Sequence, residues 1–185
     1  MVVLYKEQRV GVFIDIQNMY YSARNLYNSR VNFDRILKTA IDNRTLVRAI
    51  AYVIEAKEIT EQKTFFTALK KIGFEVKMKQ LQTFIGGHKK GDWDIGIAMD
   101  MVRMAPKLDV AVLVSGDGDF SDLVEYMKAN GCRVEVIAFG KTGSIKLKTA
   151  ADKFTDLDES HSKYLIKGTR TSSTTRNPTA ITTKK

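Results

Sequence analysis

Cysteine occurs once in this chain, as Cys132. A single thiol excludes an internal disulfide framework and a zinc site built on several cysteines. Its place at the head of an apolar, β-rich run reads as a buried structural group, not a nucleophile. Histidine is almost as scarce, with only His88 and His161. Neither belongs to a nucleophile elbow and no G-x-S-x-G occurs, so histidine-assisted nucleophilic hydrolysis lacks its parts. No P-loop is present, and no G-x-G-x-x-G follows a strand, which removes support for nucleotide-cofactor folds. No apolar run approaches the roughly 20 residues of a membrane span. The opening Met1-Val2-Val3-Leu4-Tyr5 runs into Lys6, Glu7, Gln8 and Arg9 and is too short for a secretory signal. A cytoplasmic location, with no membrane partner, is the expectation. Acidic residues are missing altogether from residues 160–185, which carry Lys163, Lys167, Arg170, Arg176, Lys184 and Lys185.

What is present is a chain of 185 residues with a formal charge of +9. The last stretch supplies +6 of it, which leaves +3 for residues 1–159. The length suits one domain, expected over residues 1–159, followed by a basic tail over 160–185. From Gly168 onward the tail is rich in Thr, Ser and Arg without apolar periodicity, and is expected to be disordered. A basic protein whose acids gather at one place suits a polyanionic substrate steered toward a metal, or simply a solvated basic surface.

Two apolar runs end in aspartate. Val10-Gly11-Val12-Phe13-Ile14 leads to Asp15, and Val110-Ala111-Val112-Leu113-Val114 leads to Ser115-Gly116-Asp117-Gly118-Asp119. Such runs read as parallel strands buried on both faces. Further strands are expected over Leu46–Ile54, Phe74–Leu81, with Val76, Met78 and Leu81 on its apolar face, Cys132–Phe139 and, at an edge, Phe154–Leu157. Helices are expected over Asn18–Tyr27, after an Asn32 cap, over Glu58–Ile72 closed by Gly73, Trp93–Met104, Phe120–Ala129 and Ser144–Ala151. Thr83–Lys90, with Gly86-Gly87, reads as a loop. Strands alternating with helices predict an α/β, three-layer sandwich with a mostly parallel central sheet.

In such sheets ligands bind beyond the carboxyl ends of the strands. Asp15 and the Ser115–Asp119 segment are thereby delivered to one crevice. Clustered carboxylates raise one another's pKa, and a divalent cation relieves the repulsion; hard oxygen ligands suit Mg²⁺ or Mn²⁺. Asp94 shares its helix face with Ile97, Ala98, Met101, Val102 and Ala105, so it faces inward at a helix N-terminus, with Asp92 the expected cap. Asp100, six residues on, lies about 120° round the helix, at the flank of that stripe, where an ordinary salt-bridged Asp is the commoner outcome. Asn18 at a helix start suits a phosphate or water; Ser115 suits a phosphate oxygen or the orientation of an aspartate. Each has a plain alternative: Asp15 or Asn18 as a helix cap, Asp119 as the cap of the helix after it, and Asp117 as a turn former. Asp122, inside that helix's first turn, reads as a dipole-compensating residue. Lys89 and Lys90 lie in a glycine-containing loop just before Asp94.

Phe13-Ile14-Asp15 with Asn18, Lys90-Gly91-Asp92-Trp93-Asp94 running on to Asp100, and Val114-Ser115-Gly116-Asp117-Gly118-Asp119-Phe120 together resemble the NYN domain family, in its LabA-like branch. That family belongs to the PIN-like nuclease superfamily. The resemblance spans roughly residues 9–158 and takes in Phe139-Gly140, Ser144 and Ala151-Asp152-Lys153-Phe154. It implies a PIN-like fold and metal-dependent hydrolysis of RNA phosphodiesters, with Asp15, Asp94, Asp117 and Asp119 as the catalytic, metal-binding set. Asn18 and Asp100 match recurring polar positions. Under that reading Mg²⁺ or Mn²⁺ is the cofactor and RNA, single-stranded by preference, the partner. Lys89, Lys90, Lys146, Lys148 and also Lys141 would bind flanking phosphates. One competing reading is a non-catalytic RNA-binding or regulatory module that keeps the acidic pocket. Another, a small-molecule phosphohydrolase, is opposed by Gln17, which stands where a second acid is wanted.

Overall fold

The computed structural model describes residues 5–55, 59–80, 82–83, 89–90 and 92–166. Along the chain these form β1 (Arg9–Asp15), α1 (Ile16–Tyr27), β2 (Arg30–Val31), α2 (Phe33–Ile41), β3 (Thr45–Glu55), α3 (Ile59–Ile72), β4 (Glu75–Gln80), β5 (Gln82–Thr83), β6 (Lys89–Lys90) and α4 (Asp94–Met104). After them come β7 (Val110–Val114), α5 (Ser121–Ala129), β8 (Arg133–Ala138), α6 (Ile145–Ala150), β9 (Lys153–Asp156), α7 (His161–Tyr164) and β10 (Leu165–Ile166).

Six strands make the central sheet, in the order β4-β3-β1-β7-β8-β9, and every neighbouring pair is parallel. All five residues of β7 are buried, as their unbroken apolar character requires. Side-chain alternation sorts β1 between two cores. Val10, Val12 and Ile14 pack with Met19 and Ala23 of α1, Ile36 and Leu37 of α2, and Leu69 of α3. Phe13 points the other way, toward Ile97 and Met101 of α4, Val124 and Met127 of α5, and Leu147 of α6. The result is helix, sheet, helix: the expected α/β three-layer sandwich with its mostly parallel sheet. Each fully buried large aliphatic contributes on the order of 1.5–3 kcal/mol relative to an exposed one.

The chain builds outward from β1 through β3 to β4, then returns to add β7, β8 and β9 on the other side. The strand order therefore reverses between β1 and β7, and a crevice opens at their carboxyl ends. That reversal brings Asp15 beside the Ser115–Asp119 segment.

Several expectations need correction. The first helix starts at Ile16, ahead of Asn18, because Asp15 itself is the cap. Thr83 and Lys89 are not simply loop: Gln82–Thr83 and Lys89–Lys90 pair antiparallel. Phe120 belongs to a single 3₁₀ turn, Gly118–Phe120, that precedes α5. Met78 is 53% exposed, because β4 is an edge strand flanked on one side only. Leu81 lies outside the described residues. The boundary expected at residue 159 falls within the fold, since β10 pairs with β2 and Tyr164 is buried against α2, its hydroxyl 3.2 Å from Thr39 Oγ1. The expected disorder from Gly168 onward also lies outside the described residues. Among the described residues no helix is long and apolar enough to cross a membrane.

Candidate functional site

Asp15 ends β1 in an extended conformation and caps α1. Its Oδ1 accepts from the backbone N–H of Gln17 at 3.0 Å and of Asn18 at 3.1 Å. Burial pushes this carboxyl's pKa up, the two N–H groups pull it down, and the charge of Asp117 pushes it up again, with a net upward shift.

Asn18 faces the neighbouring loop. The backbone N–H of Gly116 donates to its Oδ1 at 2.9 Å. Ser115 is fully buried, and its Oγ accepts from the Asp117 N–H at 3.2 Å. Asp117, not Asp119, caps the following turn, its Oδ1 accepting from Asp119 N–H at 3.0 Å. The glycines here serve close approach. Gly116 C=O accepts from Ser144 N–H at 2.9 Å, and a Cβ on Gly118 would stand 2.7 Å from Ser144 Oγ. The segment is thus sewn to α1 on one side and to the head of α6 on the other.

The third contributor arrives on α4. Its cap position is Trp93, without a side-chain cap bond, so the expectation that Asp92 caps this helix is not met. Packing anchors the helix start instead. Trp93 Nε1 donates to Val53 C=O at 2.9 Å, and the ring lies 5.3 Å from that of Tyr52. Lys79 Nζ donates to Asp92 C=O at 3.0 Å and stands 5.8 Å from the centre of the Trp93 ring. Asp94 follows as the first helical residue. Burial, reinforced by the charges of Asp117, Asp92, Asp15 and Asp119, pushes its carboxyl up to about 6.

Asp94, Asp117 and Asp119 each present a carboxylate oxygen, and the three atoms lie within 4.8 Å of one another. Asp15 stands just outside that group, although its charge is felt at Asp94. Three hard oxygen donors with mutual repulsion form a donor set suited to a divalent metal ion. Asp94, whose carboxyl is raised to about 6, is the group such an ion would relieve.

The other expected positions are distributed differently. Asp100 turns away from the cluster toward β3 and β4, where Tyr52 Oη donates to it at 2.7 Å and Lys77 Nζ at 2.6 Å. Burial alone would raise its pKa; Lys77 and Tyr52 outweigh that and hold it below the usual range. Lys146 pairs with Asp122 at 2.7 Å, on the rim near Asp119. Lys148 donates to Gly140 C=O and stands 5.3 Å from the centre of the Phe154 ring. Lys141 Nζ stands 5.4 Å from the centre of the Tyr27 ring. Lys89 and Lys90 form β6 by backbone pairing with Gln82 and Thr83, and His88 lies outside the described residues. Lys79 is the supporting residue that motif reading passed over, and Trp93, part of the motif, supplies packing in place of a cap. The signal was the Lys77-Met78-Lys79 alternation, which puts both lysines on one strand face, over α4.

Comparison with known proteins accords with this geometry. A solved structure of a Vibrio parahaemolyticus protein of unknown function superposes with a TM-score of 0.79 at 33% identity, over 89% of this chain and 100% of that one. The low amplitude and bright protein LabA of Synechococcus elongatus is 29% identical over 164 residues, 84% of this chain and 87% of its own length. The NYN domain profile matches residues 9–158, which contain both aspartate strands, α4 and the whole carboxylate cluster. With that span matched, the chain belongs to the NYN domain family.

Proposed function

We propose that this protein is a metal-dependent ribonuclease that hydrolyses phosphodiester bonds of single-stranded RNA. The observation that carries the reading is the cluster of Asp94, Asp117 and Asp119 at the sheet's point of reversal, in a NYN-family fold. These three residues would hold Mg²⁺ or Mn²⁺, with Asp15 behind them. Bound there, such an ion supplies an activated water and charge stabilisation at the scissile phosphate.

The chain's own part is to hold donors still and to admit a polyanion. Ser115 and Asn18 fix the backbone on either side of Gly116, so Asp117 and Asp119 are presented without freedom to drift apart. Trp93 and Lys79 fix the start of α4 and with it Asp94. Uncompensated, the cluster repels RNA; a bound cation would remove that repulsion. Lys146 at the rim, with Lys89 and Lys90 on the approach to α4, are assigned to flanking phosphates. Lys148, engaged with the Gly140 carbonyl, is assigned a lesser share. A single strand suits a groove that reads backbone because it bends to bring one phosphate to the cluster.

The test is cleavage of an end-labelled single-stranded RNA with Mn²⁺ or Mg²⁺, beside EDTA and the variants Asp117→Asn and Asp94→Asn. Cleavage abolished by EDTA and by both substitutions is the expected result. Cleavage surviving Asp117→Asn would refute the assignment of this site. Salt-sensitive RNA binding without cleavage would replace the reading by a non-catalytic RNA-binding module.

A further inference from the structure

The outward face of α1 carries a second group of residues that the carboxylate cluster does not use. Tyr20 and Tyr21 are 40% and 55% exposed and adjacent. Tyr20 is held in place: its ring lies edge-on to Tyr21 with centroids 5.4 Å apart, and Arg24 Nη1 donates to its Oη at 3.1 Å. Beside it, Tyr20, Arg24, Asn28, Ser29 and Arg30 line an open depression of about 260 Å³. Among the described residues no acid lines it, and Arg24 and Arg30, like Arg35 and Arg103, pair with no carboxylate, whereas Arg9, Arg44, Arg48 and Arg133 do. Two guanidinium groups facing one depression without a counter-charge favour an anion there. Arg30 also pairs through its backbone with Ile166. The sequence that continues from Ile166 holds Lys167, Arg170, Arg176, Lys184 and Lys185 and no acid.

We propose that Tyr20, Arg24 and Arg30 form a second RNA-binding subsite, which holds a nucleotide of the strand whose scissile phosphate lies at Asp94, Asp117 and Asp119. The inference rests on the reading that the chain takes RNA. An aromatic face beside two arginines is what a nucleotide asks for: the base stacks, and the phosphate takes charge-assisted hydrogen bonds. Asn28 and Ser29 add neutral donors and acceptors suited to a ribose hydroxyl. α1 links the two places, since it starts at Asp15, beside the cluster, and ends at Tyr27. At 1.5 Å of rise per residue Tyr20 lies about 8 Å, and Asn28 about 20 Å, along the helix from Asp15. A strand leaving the crevice over α1 therefore meets Tyr20 first and the arginines next. This subsite needs no metal, so it retains RNA where the cluster alone repels it.

The test uses the full chain and fluorescence anisotropy of a 5′-labelled single-stranded 16-mer RNA in EDTA, for the unsubstituted protein, Tyr20→Ala and Arg24→Ala/Arg30→Ala. The expected result is binding weakened about tenfold by Tyr20→Ala. The double arginine variant should bind more weakly still, and the slope of log affinity against log salt should fall by about 1.4, the share of two phosphates. With Mn²⁺ present, both variants should raise KM for the 16-mer and leave kcat, and cleavage of a trinucleotide, unchanged. A 4-thiouridine 16-mer should crosslink on irradiation to the peptide that contains Tyr20. Equal affinity in all three proteins would overturn the subsite, whether or not RNA is cleaved. So would loss in the arginine variant matched by equal loss of poly-glutamate binding, with Tyr20→Ala silent, which would mark a general polyanion surface. No cleavage with Mn²⁺, but the expected order of affinities, would refute the ribonuclease reading and leave the subsite standing.

Discussion

Asn18 Oδ1 accepts a hydrogen bond from Gly116 N–H at 2.9 Å, across 98 residues of sequence. The bond joins the first turn of α1 to the segment that carries Asp117 and Asp119. It gives a polar residue at a helix start a positioning duty between two strand ends, through its Oδ1.

Removing that acceptor should loosen the site without unfolding the protein. Asn18→Ala leaves the Gly116 N–H without its partner, at a cost of about 1–3 kcal/mol. The expected outcome is a lower melting temperature and weaker Mn²⁺ binding by calorimetry, with Asp117 still in the chain. Unchanged Mn²⁺ affinity would remove Asn18 from the positioning network.

Asp94 gives the metal-free protein a pH dependence of defined sign. Its carboxyl titrates at about 6 when folded, against about 3.9 for an unperturbed Asp. Between those values the native state binds more protons than the unfolded state, so stability falls as pH rises from about 4 to about 6. Asp94 is half-exposed, and solvent screening holds this loss to about 1–2 kcal/mol. In EDTA, Asp94→Asn should therefore raise the melting temperature at pH 7 and leave it nearly unchanged at pH 4. Added Mn²⁺ should stabilise the parent protein far more than the variant. A variant less stable than the parent at pH 7 in EDTA would contradict the assignment.

Arg44 and Glu135 form an ion pair buried to within 5% and 4% exposure. Arg44 Nη1 and Nη2 each donate to the carboxylate at 3.0 Å, and its remaining donors reach Ala40 and Ile41 C=O. Burial pushes the Glu135 pKa up, but hydrogen bonds from Arg44 and Arg133 bring it below the ordinary value. A depressed acid stabilises above its unfolded pKa of about 4.3, and the contribution is lost as pH falls below that. Glu135→Ala strands a buried guanidinium and should cost about 3–5 kcal/mol by urea unfolding at pH 7. A cost below about 1 kcal/mol would show that the guanidinium finds water.

Trp93, the only tryptophan, reports on the start of α4. A Cβ on Gly96 would lie 2.4 Å from Trp93 Cε3, so Gly96→Ala must displace the ring. The expected outcome is a shift in intrinsic fluorescence, a loss of about 1–3 kcal/mol from overpacking, and weaker Mn²⁺ binding through Asp94. An unshifted emission spectrum would mean the ring does not depend on that glycine.

The parent's Trp93 emission should also respond to Mn²⁺, because Asp94 is the next residue. Titration of the metal-free protein should give a saturable change that Asp117→Asn abolishes. A response that persists in the variant would separate metal binding from the carboxylate cluster.

Much of this molecule follows from local sequence. Val110–Val114 is a strand at those very residues, since a five-residue apolar run rich in valine and bounded by turn formers is too short for a buried helix. Asn32 caps α2 as its position predicts, accepting from Arg35 N–H at 3.2 Å. Gly73 closes α3 with φ of +116°, a conformation that side chains with a Cβ rarely adopt. Ile97 and Met101, at helical spacing from Asp94, are fully buried, while Asp94 at the head of the same stripe is half-buried, and two apolar runs ending in aspartate pointed to one crevice.

Other facts belong to tertiary structure alone. That Asp94 rather than Asp15 joins Asp117 and Asp119 within 4.8 Å depends on how α4 crosses the sheet, which no local pattern encodes. Asp100 turned from the crevice to Lys77 and Tyr52, and α4 began at a packed Trp93 instead of a capping Asp92, because partners 13 to 48 residues away outweighed the local preference. Arg44 and Glu135 found each other across 91 residues by the same rule. Local sequence determined which segments are strands and helices, and which faces they bury, since periodicity and capping act over a few residues. Which side chains meet at the ends of those elements was decided only by the order of strands in the sheet, since a crevice is made by residues far apart in the chain.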